Sequence, residues 1–540
     1  MLDRPNLTGA TSLSGQPFVI AKQNDTTAAI PLCLLADTAA NVARVFRERD
    51  IYLIGNMLPD AIKRATHISS FKDYPIADQV GWNGNYFVLP DGDVISSVDS
   101  KVPLVAIKAM PGKCAQGGTL KGWQRKVAAQ LIGQTIALFA LMMAFMPALL
   151  RLSSRRDNFG FEIVGGKGKG KTTIQQLAAS VMGPPFAHNG SSYAMTFDMT
   201  LNSLEDTMIV HNDMPLIIDE AGLYFAGESK QKRGTLFKAF AFKAAAGTHK
   251  GRHGQSQTGD TYRFSYLSSS NDRLTALLDD DEEATKAAAD RLLTLPIGED
   301  RDYGVFDFLP EEYNSSSAFA ASLSKAVSKH HGTAGRAYLQ ALVNDRAKHP
   351  KRLARQIEHL MARFRELAGV DQNSGSAIRV ADAFGLVYAA GKLAVGYDVL
   401  PSEVNCEETA LACYRQHIQG AQPTQPFVER LKAVLEEPTT TKLADKGDKL
   451  KKQQLLAASA ITLPGPQGME LLIPDDKIEA VFPDWLSIRR QAAVTSLLMR
   501  DGRHLTKKRS LTKNGERKRF YCFRVPDDET AEPEEEFGEE

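Results

Sequence analysis

The stretch GGKGKGKTTIQQL, residues 165–177, follows directly on the apolar run FGFEIV. Glycine adopts backbone angles that other residues resist, so the amides of such a loop can turn together toward one anion. Gly165, four residues, Gly170, Lys171 and Thr172 complete the spacing GxxxxGK[ST]. In this reading Gly165, Gly166, Lys167, Gly168, Lys169 and Gly170, with Lys171, Thr172 and Thr173 at the following helix start, cradle a row of phosphates. Lys171 reaches the β and γ oxygens, and the Thr172 hydroxyl completes a Mg²⁺ shell. ATP and Mg²⁺ are therefore the expected ligands. The pattern also arises by chance as a flexible basic loop; the strand before it and the helix after it give it weight.

A nucleotide site of this kind needs a second strand ending in a carboxylate. PLIIDEAG supplies one, with Leu216, Ile217 and Ile218 delivering Asp219 and Glu220 to its end. Asp219 is expected to hold the metal through water, and Glu220 to orient or deprotonate the attacking water. A plain acidic turn is the alternative. Farther on, TYRFSYLSSSND is a third apolar strand, and Asn271 at its end is the candidate for holding the lytic water, against a simple Asx-turn. AAADRLLTLPI puts Arg291 at a helix-to-strand junction, suited to reach a neighbouring subunit's γ-phosphate or else to pair with Asp290. Between these strands, GTHKGRHG carries His249, Lys250, Arg252 and His253 on a glycine-bounded tip. It reads as a pore hairpin gripping a phosphate backbone, or as a solvated loop.

The elements that must position these residues follow from pattern. Residues 1–110 read as a β-rich domain with a hairpin around Trp82, Tyr86 and Phe87; 111–158 as a helical connector; 159–310 as alternating strand and helix. Residues 311–435 read as helical, 436–469 as a linker, and 470–526 as a small module of strand, helix and basic hairpin. In that hairpin Lys507, Lys508, Arg509, Lys513, Arg517, Lys518 and Arg519 flank a glycine turn, as a DNA-binding wing would. The last fourteen residues, DDETAEPEEEFGEE, form an acidic, solvated tail.

Composition is that of a globular protein: 540 residues, 43% hydrophobic, 24% charged and net charge +1. The acidic tail conceals a basic remainder. Five scattered cysteines, none in a CxxC pair, read as free thiols of a reducing compartment, and no leader-like apolar region opens the chain; a cytoplasmic location is expected. Residues 127–150 carry no charge and are long enough to span a bilayer, yet Gln130, Gln134 and Pro147 interrupt them. A buried helix is expected, and no membrane partner.

With these residues assembled, the chain resembles the family called "domain of unknown function 927", helicase-like proteins of phages, plasmids and mobile elements. The resemblance runs from GWNGNYFVLP through GTLKGWQ, GFEIVGGKGKGKTTIQQLAASVMG, LEDTMIVHNDMPLIIDEAG and GTHKGRHG. It continues through DRLLTLPI, YGVFDFL, HHGTAGRAYL and RVADAFGLVYAAGKLAV to GRHLTKKRSLTKNGERKRFYCF, about residues 80–525. That family looks related to AAA+ replicative helicases, including self-loading helicases of staphylococcal chromosome cassettes. The resemblance implies an α/β fold: a P-loop AAA+ core with a mixed N-terminal domain, a helical lid and a C-terminal winged-helix-like module. It implies a homo-hexameric ATP hydrolase that translocates on single-stranded and forked DNA in replication, with a replication initiator or primase as further partner. Arg336, in HHGTAGRAYL, would then be a second arginine at the nucleotide. The loop is richer in lysine than is usual in the family, and the short N-terminal region shows no zinc-finger spacing or acidic cluster, so no primase activity is expected in this chain. The alternative is a switch ATPase that remodels protein partners, for instance in phage defence, with DNA as regulator.

Overall fold

The computed structural model describes residues 3–525 apart from 98–101, 108, 187–191, 197–200, 220–229, 248–261, 272, 275–287, 289, 299–300, 422–426, 446, 466–467, 483–484, 486–496, 500–504, 514 and 516. The chain forms two units, Met1–Gly420 and Ala421–Glu540.

The first unit opens with strands Asn6–Thr11, Pro17–Gln23 and Thr26–Pro31, joined as antiparallel hairpins. Gln23 pairs with Thr26, and Asn24 in the two-residue loop takes φ 50°, a left-handed angle that asparagine tolerates. Phe71–Asp73 adds a parallel fourth strand beside Asn6–Thr11. Helices Ala39–Arg47 and Met57–Thr66 supply Val42, Phe46 and Ala65 to a separate apolar core with Val19, Ala28 and Ile30. The expected hairpin around Trp82 is a three-stranded meander, Gly81–Asn83, Tyr86–Val88 and Val94–Ile95. It departs from the expected domain boundary, because Trp82 and Phe87 bury in the central core and not with the first sheet.

Five parallel strands make the central sheet. Their order is Met195–Thr196, Pro215–Asp219, Ser265–Ser270, Phe159–Val164 and Leu292–Pro296. The four longer strands are almost wholly buried without alternation, the serines of Ser265–Ser270 included, because helices cover both faces, as parallel sheets require. All five end on the same side, so the residues that follow Val164, Ile218 and Ser270 meet there.

The uncharged stretch after residue 127 is the centre of the first unit. Helix Thr135–Phe145 buries every residue from Ile136 to Phe145, packed between helices Lys171–Met182 and Gly375–Gly396. A helix that is apolar all round belongs inside a core or a bilayer; here 83% of Thr135–Leu152 is buried within the protein. The polar interruption at its start has partners: Gln134 Nε2 donates to the Phe308 carbonyl at 2.9 Å, and its Oε1 accepts from the Asp307 amide at 2.8 Å.

Five helices follow the sheet: Ser316–Lys329, Thr333–Lys348, Pro350–Leu367, Gly375–Gly396 and Cys406–Ala421. Ser315 and Ser374 cap two of them, and proline opens a third.

The second unit corrects two expected boundaries. Residues 436–469 are not a linker, since Thr440–Lys442, Lys452–Ala457 and Ala460–Gly465 are ordered elements. Leu450, Leu455, Ile461 and Leu463 bury against Leu472, Phe520 and Cys522, which a linker composition did not reveal. Helix Phe427–Glu436, read as the end of the helical region, belongs to this unit through Phe427, Leu431 and Val434 on Leu471 and Phe523. The sheet has five strands, ordered Thr440–Lys442, Ala460–Gly465, Gly468–Pro474, Lys518–Val525 and Lys507–Arg509. It is therefore larger than the hairpin module expected over 470–526.

Two buried histidines make stability depend on acid. Burial holds His417 down to about 4, while its Nδ1 accepts from the Thr294 amide at 3.1 Å. Burial, with Lys113 nearby, holds His211 down to about 3. Both are neutral when folded, so unfolded chains bind more protons once pH drops below the ordinary histidine value of 6.5. Their contribution is complete above 6.5 and is lost as pH falls toward 4 and then 3, at about 1.4 kcal/mol per unit for each group. The urea midpoint of the chain should decline from pH 6.5 to 5, the two histidines outweighing Asp213, whose carboxyl is raised by burial to about 6 so that the folded chain takes up one proton in the same range. His417→Gln should lower stability at neutral pH but flatten that decline.

Candidate nucleotide site

The glycine loop leaves the strand Phe159–Val164 and enters helix Lys171–Met182. Gly168 and Gly170 take φ 75° and 91°, the left-handed region that a side chain would oppose. The helix is tied to the neighbouring strand by Gln175, whose Nε2 donates to the Ile218 carbonyl at 3.1 Å. From the other side the Val305 amide donates to the Lys169 carbonyl at 2.9 Å. The loop is thus held on both flanks.

Lys171 Nζ donates to the carbonyls of Gly165 at 2.5 Å and Gly166 at 2.9 Å, and to Asn271 Oδ1 at 3.0 Å. The loop lysine and the third strand's asparagine, a hundred residues apart in sequence, are therefore in contact. Asp219 ends its strand beside them, its Oδ1 accepting from Ser269 Oγ at 2.6 Å. These groups line one cleft of about 870 Å³, with Lys167, Lys169, Thr172 and Thr173 from the loop. Its far wall is built from Arg301, Tyr303, Phe306 and the start of helix Ser316–Lys329. Arg301 is fixed there by an ion pair with Asp307 at 2.9 Å. YGVFDFL in that wall carries part of the family resemblance, but a loop without periodicity gives no sign that it faces the glycine loop.

The donor set fits a nucleotide triphosphate and its cation. Glycine amides, a helix N-terminus and a lysine suit an anion, while a hydroxyl and a carboxylate at adjoining edges suit a hard divalent ion.

Glu162 was also missed, because a carboxylate in the middle of a buried strand looks like an interruption. Its side chain is wholly buried; Oε1 accepts from Ser270 Oγ at 2.7 Å and from the Leu274 amide at 2.9 Å. It therefore fastens the chain on both sides of Asn271.

The remaining expected site residues sort plainly. Glu220, His249, Lys250, Arg252 and His253 lie outside the described residues. Arg336 is not in the cleft: its guanidinium bonds Asp91 at 3.1 Å and Asp93 at 2.6 Å, joining a helix to the meander. Its place in a helix after the core carried no information about direction, and two carboxylates in the PDGD turn bind it. Arg291 sits at the opposite end of the sheet from the loop, its carbonyl accepting from the Gly160 amide at 2.8 Å. Asp290 accepts from Ser376 at 2.6 Å and Arg379 at 2.7 Å. In the second unit Lys507, Lys508 and Arg509 pair with Phe520, Arg519 and Lys518 at a sheet edge, and Lys513 and Arg517 are exposed. Arg509 lies 3.5 Å from Glu470, and Arg519 donates to Thr506 at 3.2 Å.

Residues 51–259 match the model of a domain of unknown function, DUF927. This region of the chain is a DUF927 domain. The match takes in the glycine loop and the Asp219 strand and stops before Asn271, so it is narrower than the stretch over which the resemblance was read. No curated protein matches the sequence. Among solved structures, "SCCmec type IV Cch - active helicase" aligns with a TM-score of 0.55 at 13% identity, over 97% of this chain and 94% of that one. The two share a fold along nearly their whole lengths. The NrS-1 C-terminal region in its A-form apo state aligns at 10% identity over 76% of this chain and 92% of that one, with a TM-score of 0.22. The DUF927 domain thus sits in a mixed α/β protein whose fold is shared with a helicase structure.

Glu162 allows a direct check of how the cleft is held. In Glu162→Leu the Ser270 hydroxyl and the Leu274 amide lose their acceptor inside the core, which costs about 1–3 kcal/mol. Glu162→Gln keeps an acceptor there and should lose clearly less. Urea denaturation of the two variants measures the difference.

Proposed function

We propose that this chain is an ATP-dependent DNA translocase or helicase that works as a ring. The observation that carries the reading is the convergence of Lys171, Asn271 and Asp219 in one cleft at the carboxyl ends of a parallel sheet. The strand order, with the glycine-loop strand between the Asn271 strand and the Arg291 strand, supports an AAA+ core. The fold likeness to an active helicase supports the choice of DNA.

In this reading the loop amides and Lys171 bind the triphosphate, and Thr172 and Asp219 hold Mg²⁺. Held there, the metal would supply positive charge against the charge that develops on the phosphates. Asn271 orients the attacking water and Glu220 takes its proton. Ser269 keeps the Asp219 carboxylate turned into the cleft. Arg291, at the far end of the sheet from its own cleft, serves a neighbouring subunit's nucleotide, which makes the ring a requirement of the chemistry. The helices from Ser316 onward are the lid. DNA is gripped by the basic loop around Lys250 and Arg252 and by the cations from Lys507 to Arg519, with replication of a mobile element as the setting.

Lys171→Ala should lose ATP binding, because it removes the charge opposite the phosphates. Glu220→Gln should bind ATP and hardly hydrolyse it. Arg291→Ala should also bind ATP but turn it over on the order of a thousandfold more slowly. Mixing the Arg291→Ala and Glu220→Gln chains should recover part of the activity, since some interfaces then hold both groups intact. Single-stranded DNA should accelerate hydrolysis by the wild-type chain. Full turnover by Glu220→Gln, or no recovery in mixed rings with subunit exchange verified, would overturn the assignment.

A further inference from the structure

One strongly charged surface is used by none of the roles above. The amino end of helix Leu120–Lys126 meets the carboxyl end of helix Ser316–Lys329, and Lys121, Arg125, Lys126, Lys325 and Lys329 on these two helices are all exposed. Trp123, Leu323 and Val327 are buried on the inner sides of the same helices, and Lys121, Arg125, Lys325 and Lys329 lie on the outward faces, with Lys126 exposed at the helix end. The two ends are in contact. The His331 amide donates to the Gly117 carbonyl at 3.1 Å, and the Gly117 amide returns a bond to His331 at 2.9 Å. The His330 ring lies so close to Gly118 and Gly122 that a Cβ there would stand 2.2 and 2.5 Å from it. Arg125 and Lys126 are one helical turn beyond Gly122, and Lys329 is next to His330. The pKa of the ring reports the crowding: burial first, then Lys329, Arg125, His331 and Lys126, lower it from the ordinary value.

Among the described residues nothing neutralises this cluster. The sequence holds no Asp or Glu from 101 to 156 or from 313 to 344. Among the described residues none of the five cations forms an ion pair, and Asp398, the acidic residue bonded to this helix, approaches through its backbone carbonyl to Gln124 at 2.6 Å. Lys121 with Arg125, and Lys325 with Lys329, are like-charge pairs four residues apart, an arrangement that weakens a helix. The helix dipole favours cations only in the last turn and so does not account for Lys121 or Lys325.

We propose that the outward faces of these two helices bind the phosphate backbone of a nucleic-acid strand, through residues other than those of the basic loop and of the second unit. The proposal rests on the DNA-translocase reading. A lipid surface is disfavoured because no large apolar side chain is exposed in either helix or in residues 117–119 and 330–332 where they meet. A backbone ligand needs only cations at suitable spacing and would be bound without regard to sequence.

The test uses the full chain, a fluorescent oligothymidylate and anisotropy titrations between about 50 and 200 mM salt. Two variants are compared with the wild type, the triple Lys121→Ala, Arg125→Ala, Lys126→Ala and the double Lys325→Ala, Lys329→Ala. Each should bind the oligonucleotide several-fold more weakly at the higher salt. The slope of log affinity against log salt should become shallower by about 0.7 for every phosphate that is no longer neutralised. ATP hydrolysis without DNA should be unchanged, and Tm unchanged or higher, because removing a cation relieves repulsion. Wild-type affinity and slope in both variants would overturn the inference, as would a lowered Tm with unaltered binding, which would make the cations helix-end stabilisers. A third variant, Lys508→Ala with Lys513→Ala and Arg517→Ala, separates the two levels. If it weakens binding and the helix-end variants do not, the inference fails and the translocase reading stands. If the wild-type chain itself does not bind the oligonucleotide, the translocase reading fails as well.

Discussion

A lysine ammonium beside a buried sheet must be surrounded by oxygen, and the cleft is organised around that demand. Lys171 Nζ finds two carbonyls of its own loop and the side chain of Asn271. Asn271 can stand there only because Glu162 fastens the residues on either side of it. Ser269, two positions earlier in the chain, holds Asp219. The result is a polar thread along the carboxyl ends of three strands whose remaining residues are almost entirely apolar. In a low-dielectric sheet each member would be costly alone, and the hydrogen bonds among them offset that cost. The register of Val164 against Ser270 and of Ile218 against Ser268 is what aligns them. A slip of one residue would turn every side chain to the opposite face and break the thread.

How much of this was legible depended on whether the signal was local. The glycine loop, the Asp219 strand and the Asn271 strand are each specified within about a dozen residues, and the structure brings Lys171, Asp219 and Asn271 into one cleft. The far wall around Arg301 and Tyr303 is made by a loop folded against Lys169, and no periodic pattern announces such an arrangement. Arg336 shows the opposite failure. Its helix was legible, but the partner was not, because Asp91 and Asp93 are more than two hundred residues away in sequence. The second unit failed on composition. The polar stretch after Glu436 reads as solvated, yet Leu450, Leu455 and Ile461 within it are enough to cover one face of a sheet.

The uncharged helix Thr135–Phe145 explains why the meander, the central sheet and the later helices share one apolar core. It offers no polar face, so it must be enclosed on every side, and the elements that enclose it come from before, within and after the sheet. Helix Lys171–Met182 leans on it from the nucleotide loop, and helix Gly375–Gly396 from the helical region. Its amino end is bound to the cleft wall: the Thr135 amide donates to Asp307, the residue that pairs with Arg301. Removing bulk from this helix would leave cavities under both the loop and the helices, so its composition is constrained even though none of its residues does chemistry.

The strand that delivers Asp219 is five residues long and is pinned at both ends. At its carboxyl end Asp219 takes the Ser269 hydroxyl. Just before its amino end Asp213, wholly buried and at φ 57°, receives Arg151 Nε on both carboxylate oxygens, at 2.9 and 2.8 Å, and the Trp82 amide at 3.0 Å. Asn212 beside it accepts from Arg151 and from the Arg263 amide and donates to the Val80 carbonyl. The meander that carries Trp82 is therefore fastened to the base of the strand whose tip lies in the cleft. Breaking one partner of a buried ion pair costs about 3–5 kcal/mol, far more than the small shifts that close-packed cores absorb. A displacement of the meander must either meet that cost or carry the strand with it. Such a strand has no slack, and a shift at Trp82 reaches Asp219 along a single run of backbone.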